Sequence, residues 1–334
     1  MVLIESGTSH LRIFALVVFV LAGVSGQCQE TDAKTKRHQL TFTCDNDFLL
    51  FKGEDGYYTN GVFIRYDRIS VKPSTAIKRI YSYELGQMIY TAHSRKILPT
   101  SNPVNAPVGI DQIDRPIAGY LYGKVTRTTF YNERTLLALG VSLGSTGDNS
   151  FGKDVLEFWH RMIGVKDYWN WVWNYQVKSE LGINLHSTFA RSLIQSHSSF
   201  QITPVTQATL GTTFTNLSQA VLFQFGKLQP MSSSSYWHSR LQLAPTGRQP
   251  ELFLYYRPEI KYQVYNATIQ GGMFTADKGP ILSDIKPFVF SHEVGVRFSV
   301  PRYCIGYNVV FQSKEAASQF DGEWYASMMV AFRY

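Results

Sequence analysis

From Leu254 the chain alternates strictly. Leu254, Tyr256, Pro258, Ile260, Tyr262 and Val264 take one parity, and Tyr255, Arg257, Glu259, Lys261 and Gln263 take the other. The rule returns in Val294, Val296, Phe298 and Val300 against Glu293, Gly295, Arg297 and Ser299. It returns again in Tyr303, Ile305, Tyr307, Val309 and Phe311 against Cys304, Gly306, Asn308 and Gln312. A period of two means strands with one face in apolar surroundings. These segments approach the roughly 9–11 residues that cross a bilayer as a tilted strand. They exceed the usual 5–6 or so of a globular sheet.

Alternation does not say whether the apolar face meets a protein core or lipid. A second feature narrows the choice. After residue 26 no run of 18 apolar residues occurs, so a mature chain that spans a membrane must do so as a closed barrel, which satisfies every backbone group internally. The C-terminus fits: Trp324, Ala326, Met328, Val330, Phe332 and Tyr334 alternate with Tyr325, Ser327, Met329, Ala331 and Arg333. A terminal aromatic in an alternating strand is the form of an outer-membrane recognition strand, with the barrel-assembly machinery as its expected partner. Aromatics make up 14% of the chain, with 20 Tyr and 22 Phe, as interfacial girdles require.

Strands are expected near 38–46, 57–68, 81–90, 117–129, 134–143, 175–186, 200–214, 218–228, 251–267, 286–300, 303–313 and 323–334. The fold class is therefore all-β, a single transmembrane antiparallel barrel of about 12 strands. Residues 93–114 and 229–249, rich in Pro, Ser and polar side chains, read as loops. His10 and Arg12 precede an apolar run from Ile13 to Val24, too short to span and suited to a signal peptide. The domain reading is residues 1–26 as signal peptide, cut before Gln27, and 27–334 as the barrel, in the cell outer membrane. The net charge of +7 suits phosphate or carboxylate head groups. No Lys/Arg run or nucleic-acid motif accompanies it, so no nucleic-acid partner is expected. Cys28, Cys44 and Cys304 form no CxxC pair. A Cys44–Cys304 disulfide is one reading and two half-buried small residues the better one.

One stretch breaks the β pattern. Ser150–Ile163 reads as a helix, with Ser150 as cap, Asp154 in the first turn and Gly164 beyond its end. Val155, Phe158, Trp159 and Met162 make an apolar stripe with His160 beside it. Glu157 lies three residues earlier, where it can orient the imidazole.

Three local patterns stand in order along the chain. The first is Asn46-Asp47-Phe48 with Gly56-Tyr57-Tyr58-Thr59-Asn60-Gly61. The second runs from Asp114-Arg115-Pro116 to Gly123, and the third from Gly147 through Ser150, Gly152, Val155 and His160 to Gly164, then Trp173, Gln176, Glu180 and Gly182. Together they resemble the lipid A 3′-O-deacylase family of outer-membrane barrels, over nearly the whole mature chain. The resemblance implies a 12-stranded barrel with its active site between the wall and an extracellular-loop helix. It implies a Ca²⁺ ion that polarises the ester carbonyl and a histidine that activates water. Carried over, the catalytic set is His160, Asn46 and Thr59, with Asp47 as metal ligand. Glu157, Asp114 and Arg115 are supporting candidates, Asp114-Arg115-Pro116 reading first as a structural ion pair and turn.

The chemistry is coherent. Ester hydrolysis needs a base that is neutral near pH 7, and histidine is one. Ca²⁺ takes carboxylate, carbonyl and water oxygens. No GxSxG elbow is present, which argues against a serine esterase. By parity, Thr59 falls on the polar face with Gly61 and Arg65, and Asp47 shares the parity of Asp45. The chain departs from the family at Asp148, where Pro is usual, at Leu156, where Gln stands four residues before the His, and at Ser179 in an Asn-Glu pair. The competing readings are a non-catalytic barrel, as porin or surface-binding protein, and a soluble periplasmic β protein.

Overall fold

The structure is a computed structural model that describes residues 35–50, 56–72, 74–93, 113–163, 170–196, 199–244 and 249–334. The expected signal peptide, Cys28 and Gly164 lie outside the described residues. Twelve strands form one antiparallel sheet: β1 (His38–Asn46), β2 (Tyr57–Ile69), β3 (Lys78–Thr91), β4 (Ala118–Asn132), β5 (Thr135–Thr146), β6 (Leu181–Arg191), β7 (Phe200–Gly211), β8 (Phe214–Lys227), β9 (Glu251–Asn266), β10 (Phe288–Ser299), β11 (Tyr303–Gln312) and β12 (Glu323–Arg333). β1 pairs with β12, and β6 pairs with β7, so the sheet closes on itself. A three-residue segment, Ile194–Ser196, folds back on β7.

The barrel settles which face meets what. Leu40, Phe42, Ile64, Leu85, Val125, Leu185, Leu254, Phe290 and Val294 all point outward and are exposed. Gln39, Thr41, Asp67, Ser82, Ser142, Gln201 and Arg333 are buried on the inner face. An apolar exterior around a polar interior is the arrangement of a lipid-embedded barrel and the inverse of a soluble one. The start of β1 and the end of β12 lie at one end with the connections 133–134 and 300–302. Most long loops lie at the opposite end, which is the extracellular one by the usual asymmetry of such barrels.

Three sequence expectations are resolved by the fold. Residues 175–186 are not one strand: Asn170–Tyr175 is a 3-10 turn and β6 begins at Leu181. The intervening backbone is engaged elsewhere, Val177 N–H donating to Ile117 O and Lys178 N–H to Lys278 O. The helix, α1, spans Gly152–Ile163 and is preceded by a 3-10 turn over Gly147–Ser150. Phe151 sits between them in the left-handed region (φ 54°) and takes the position before the helix, while Ser150 Oγ still accepts from the first helical N–H, of Gly152, at 3.3 Å. Cys44 and Cys304 are both free thiols, so the disulfide reading falls.

The loop between β8 and β9 does not hang in the periplasm. Its segment 231–241 folds into the lumen, where Met231 and Leu241 join an apolar cluster with Ile80, Phe130, Leu136, Val205, Leu222 and Phe253. Lys78 Nζ donates to the carbonyls of Ser232, Ser239 and Leu241 at 2.5, 2.8 and 3.0 Å. Glu251 accepts from Ser235 N–H at 2.8 Å and pairs with the buried Arg240 at 3.0 Å. Above this plug is a cavity of about 280 Å³ lined by Arg65, Lys124, His186, Thr209, Trp237 and His238 among others. Its two wall cations are matched in charge, Arg65 by Asp67 and Lys124 by Glu84, each at 2.8 Å.

Candidate active site

The site begins with a break in the alternation of β2. Pairing with β3 is regular up to Asn60 opposite Ile89, then slips, so that Tyr58 faces Tyr90 and Thr59 is the extra residue of a bulge. A bulge adds one residue without a partner and shifts the parity of the residues beyond it. Tyr58 turns into the lumen, where its hydroxyl donates to Asp45 at 2.9 Å. Asn60 shares the outward face of Ile89, and Thr59 meets the outward Thr91, hydroxyl to hydroxyl at 2.6 Å. The expectation that Thr59 lies on the inner polar face with Gly61 and Arg65 is therefore corrected. Gly61 is lumenal beside Tyr58, where a Cβ would stand 2.1 Å from the Tyr58 hydroxyl.

β1 supplies the next residues. Asn46 stands opposite Asn60 and has the outward parity of Leu40 and Phe42. β1 ends there. Asp47 opens a 3-10 turn over Asp47–Leu50, so the shared parity with Asp45 does not extend to it. Asp47 is buried and accepts from Gly56 N–H at 2.9 Å, which ties the two ends of the β1–β2 loop.

α1 covers this part of the outer wall. Gly119 on β4 points outward, and a Cβ there would stand 2.0 Å from Ser150 Oγ and 3.2 Å from Gly152 Cα. The missing side chain is the space into which the helix entrance settles. On β3, outward Gln87 donates to Ser150 O at 2.6 Å. Leu156 packs with Ile89, Ala92, Ile117 and Trp173. The buried face of the helix is Gly152, Leu156 and His160, at intervals of four. Phe158, expected in the apolar stripe, is 54% exposed. His160 is 9% exposed and so shares the face turned to the barrel. Glu157 lies 3.9 Å from Lys153 on the helix flank.

The departures from the family have local roles. Asp148 accepts a hydrogen bond from Gln176, and Ser179 Oγ accepts from Asn149 N–H at 3.1 Å, so both close the neck of the helical loop. Leu156 is part of the apolar contact under the helix. Trp173, Gln176 and Glu180 hold the loop in place. Glu180 reaches across to the β9–β10 loop, where it accepts from the N–H groups of Met273, Phe274 and Thr275 and from the Thr275 hydroxyl, at 2.7, 2.9, 2.6 and 2.6 Å.

Burial alone would raise the Glu180 carboxyl, but these four donors hold it below the ordinary carboxylate value of 4.5. A lowered carboxylate stabilises its contact above its unfolded pKa and loses that contribution as pH falls through the folded one. The expected result is that the protection factors of the Met273, Phe274 and Thr275 amides, taken against intrinsic exchange at each pH, fall on acidification through the folded value, while Glu180→Gln lowers them already at pH 7. Unchanged protection in Glu180→Gln would refute the clip.

Asp114 and Arg115 stitch loops together at the rim. Asp114 accepts from the Tyr57 hydroxyl at 2.5 Å and His93 N–H at 3.1 Å. The ion-pair partner of Arg115 is Glu315, at 2.5 Å, and its guanidinium stacks over Tyr90 at 4.0 Å. The backbone thus gathers Asn46, Asp47, Thr59 and Asn60 along one rim and sets the buried face of α1 against the neighbouring strands. The sequence pattern includes Asn60 without giving it a role. The signal available is its place beside Thr59.

A family model described as "Outer membrane protein LpxR" matches residues 13–334. Among solved structures, LpxR from Salmonella typhimurium is 19% identical, with 89% of this chain and 100% of that chain covered at a TM-score of 0.68. The β domain of the Bordetella autotransporter Brka is 7% identical (90% and 100% covered, TM-score 0.47). The KdgM porin is 6% identical (89% and 99% covered, TM-score 0.40). The first likeness establishes a shared fold; the other two are too loose to carry a comparison. No curated protein matches the chain.

Proposed function

Because the chain belongs to the LpxR family of outer-membrane proteins, we propose that it is a lipid A 3′-O-deacylase that acts on lipopolysaccharide in the outer leaflet. The observation that carries this reading is the position of His160, on the wall-facing side of a helix clamped to the outer surface of the barrel. Outward Leu85 lies on β3 below the helix-covered Ile89, exposed to lipid. Phe151 and Phe158 add apolar surface to the free flank of α1. An ester of a membrane lipid reaches such a site laterally, with its acyl chains still in an apolar environment.

In the proposed reaction the neutral imidazole of His160 takes a proton from water as the water oxygen bonds to the ester carbonyl carbon. The tetrahedral intermediate then expels the sugar oxygen, which regains a proton. The products are the free 3-acyloxyacyl acid and a 3′-hydroxyl. Thr59 and Asn46 supply hydrogen-bonding groups at the wall, and Asp47 supplies negative charge. Among the described residues no group of three or more His, Cys, Asp or Glu could by itself hold a metal ion. A cation here would be held by Asp47 with neutral oxygens from Asn46 and Thr59. That all-oxygen donor set fits a hard ion such as Ca²⁺, which when bound polarises an ester carbonyl. The outward Phe332 and Tyr334 suit the C-terminal strand for recognition by the assembly machinery.

The direct test is lipid A mass spectra from cells with and without the protein. Loss of a mass equal to one 3-acyloxyacyl group is expected, and unchanged spectra would refute the assignment. The porin reading meets a specific obstacle, the lumenal plug. In planar bilayers the purified barrel is expected to give no steady conductance, and stable open-channel steps would restore that reading.

A further inference from the structure

The structure assigns Asn60 a place among the ligand-contacting groups of this site: we propose that its side-chain oxygen is a neutral ligand to the divalent cation held with Asp47. The proposal rests on the deacylase reading for the cation, and on four observations for the residue. Asn60 is 1% exposed. Its Oδ1 is buried and accepts no hydrogen bond. Buried polar groups are paired in the great majority of cases, so an exception in a native fold calls for a reason. Asn60 lies on the outer face opposite Ile89, at the edge of the bulge that brings Thr59 out beside it. A regular strand would have left Thr59 on the lumenal side. Finally, Asn46 stands directly across from Asn60 in the β1–β2 register, and Asp47 follows Asn46. Residues directly opposite across an antiparallel pair have Cβ atoms about 4.5–5.5 Å apart.

The chemistry selects a cation over other occupants. A lone carboxylate is too few donors for Ca²⁺, which takes 6–8 or so oxygens and accepts amide carbonyls readily. Among the described residues no group of three or more His, Cys, Asp or Glu could hold the ion, so a site at Asp47 needs neutral oxygens to complete the set. The Asn60 amide oxygen is a hard donor of that kind, fixed by the sheet on both sides. An apolar acyl chain would leave it as unsatisfied as before.

The test is cation binding rather than turnover. Ca²⁺ titration of the full barrel in detergent, by calorimetry or by Tb³⁺ luminescence, is expected to show at least a tenfold weaker Kd in Asn60→Ala. Asn60→Asp, which keeps an oxygen at the same reach, is expected to bind at least as tightly as the parent. Heat-modifiable gel mobility checks that both variants remain assembled. A Kd within twofold of the parent in Asn60→Ala overturns the proposal, and so does the pattern in which only KM for lipid A rises, which would make Asn60 a substrate contact. A parent protein that binds Ca²⁺ but leaves lipid A intact would refute the deacylase reading and leave Asn60 standing. A parent that binds no Ca²⁺ would refute the ligand role whatever the activity.

Discussion

Replacement of His160 by alanine is expected to lower kcat by about 10²–10⁴-fold, the usual worth of a positioned acid–base group. That corresponds to roughly 3–5 kcal/mol of barrier. The barrel itself should not notice. His160 lies on a loop helix, outside the strand ladder, and the apolar contact beneath the helix is made by Leu156 with Ile89, Ala92 and Trp173. His160→Gln is the sharper variant, since glutamine keeps hydrogen-bonding capacity in a similar volume but cannot accept a proton at neutral pH. Both variants are expected to stay heat-modifiable on gels and to bind Ca²⁺ like the parent, with acyl release followed by mass spectrometry. If His160→Gln retained more than about a third of the parent rate, water activation by this residue would be refuted and only a packing role would remain.

The barrel is legible in the sequence because lipid imposes the alternation on every strand. The face that looks outward by parity in β9 and β10, with Leu254, Tyr256, Val294 and Val296, is the exposed one. The site is less legible, for reasons that are local. Period-2 counting assumes a regular ladder, and the extra residue at Thr59 breaks it. No residue type announces a bulge there, so parity puts Thr59 on the wrong face and gives Asn60 no role. Helical periodicity finds α1 but chooses its face by hydrophobicity. The face is set instead by small and mid-sized residues, Gly152 and Leu156, with Gly152 fitting against Gly119, while Phe158 is left exposed. The plug is invisible for the opposite reason. Its Ser-rich segment 232–235 has the composition of a loop, and only the lumenal donors and acceptors, Lys78, Glu251 and Arg297, show that its backbone groups are satisfied inside the barrel.

The second large effect should come from a residue that does no chemistry. Gly119→Val is expected to reduce deacylase activity by about 100-fold, the loss associated with a misplacement of around 1 Å at a reacting centre. The Cβ would overlap Ser150 Oγ at 2.0 Å and crowd Ser150 Cβ at 3.0 Å and Gly152 Cα at 3.2 Å. Ser150 has little freedom to move aside, being fully buried with its hydroxyl donating to Gly147 O at 2.5 Å. The collision therefore has to be relieved by lifting the entrance of α1 from the wall, and His160 moves with it. β4 keeps its ladder, because the added methyl groups point away from the lumen. Gly123→Val is the matched control: it shares strand and outward parity, and a Cβ there meets nothing within 4 Å. Activity retained in both variants would mean that the helix is not a wall of the site. Activity lost in both would trace the loss to the strand. Loss in Gly119→Val alone, in a barrel that still assembles, would locate the chemistry on the outer surface under α1 and not in the plugged lumen.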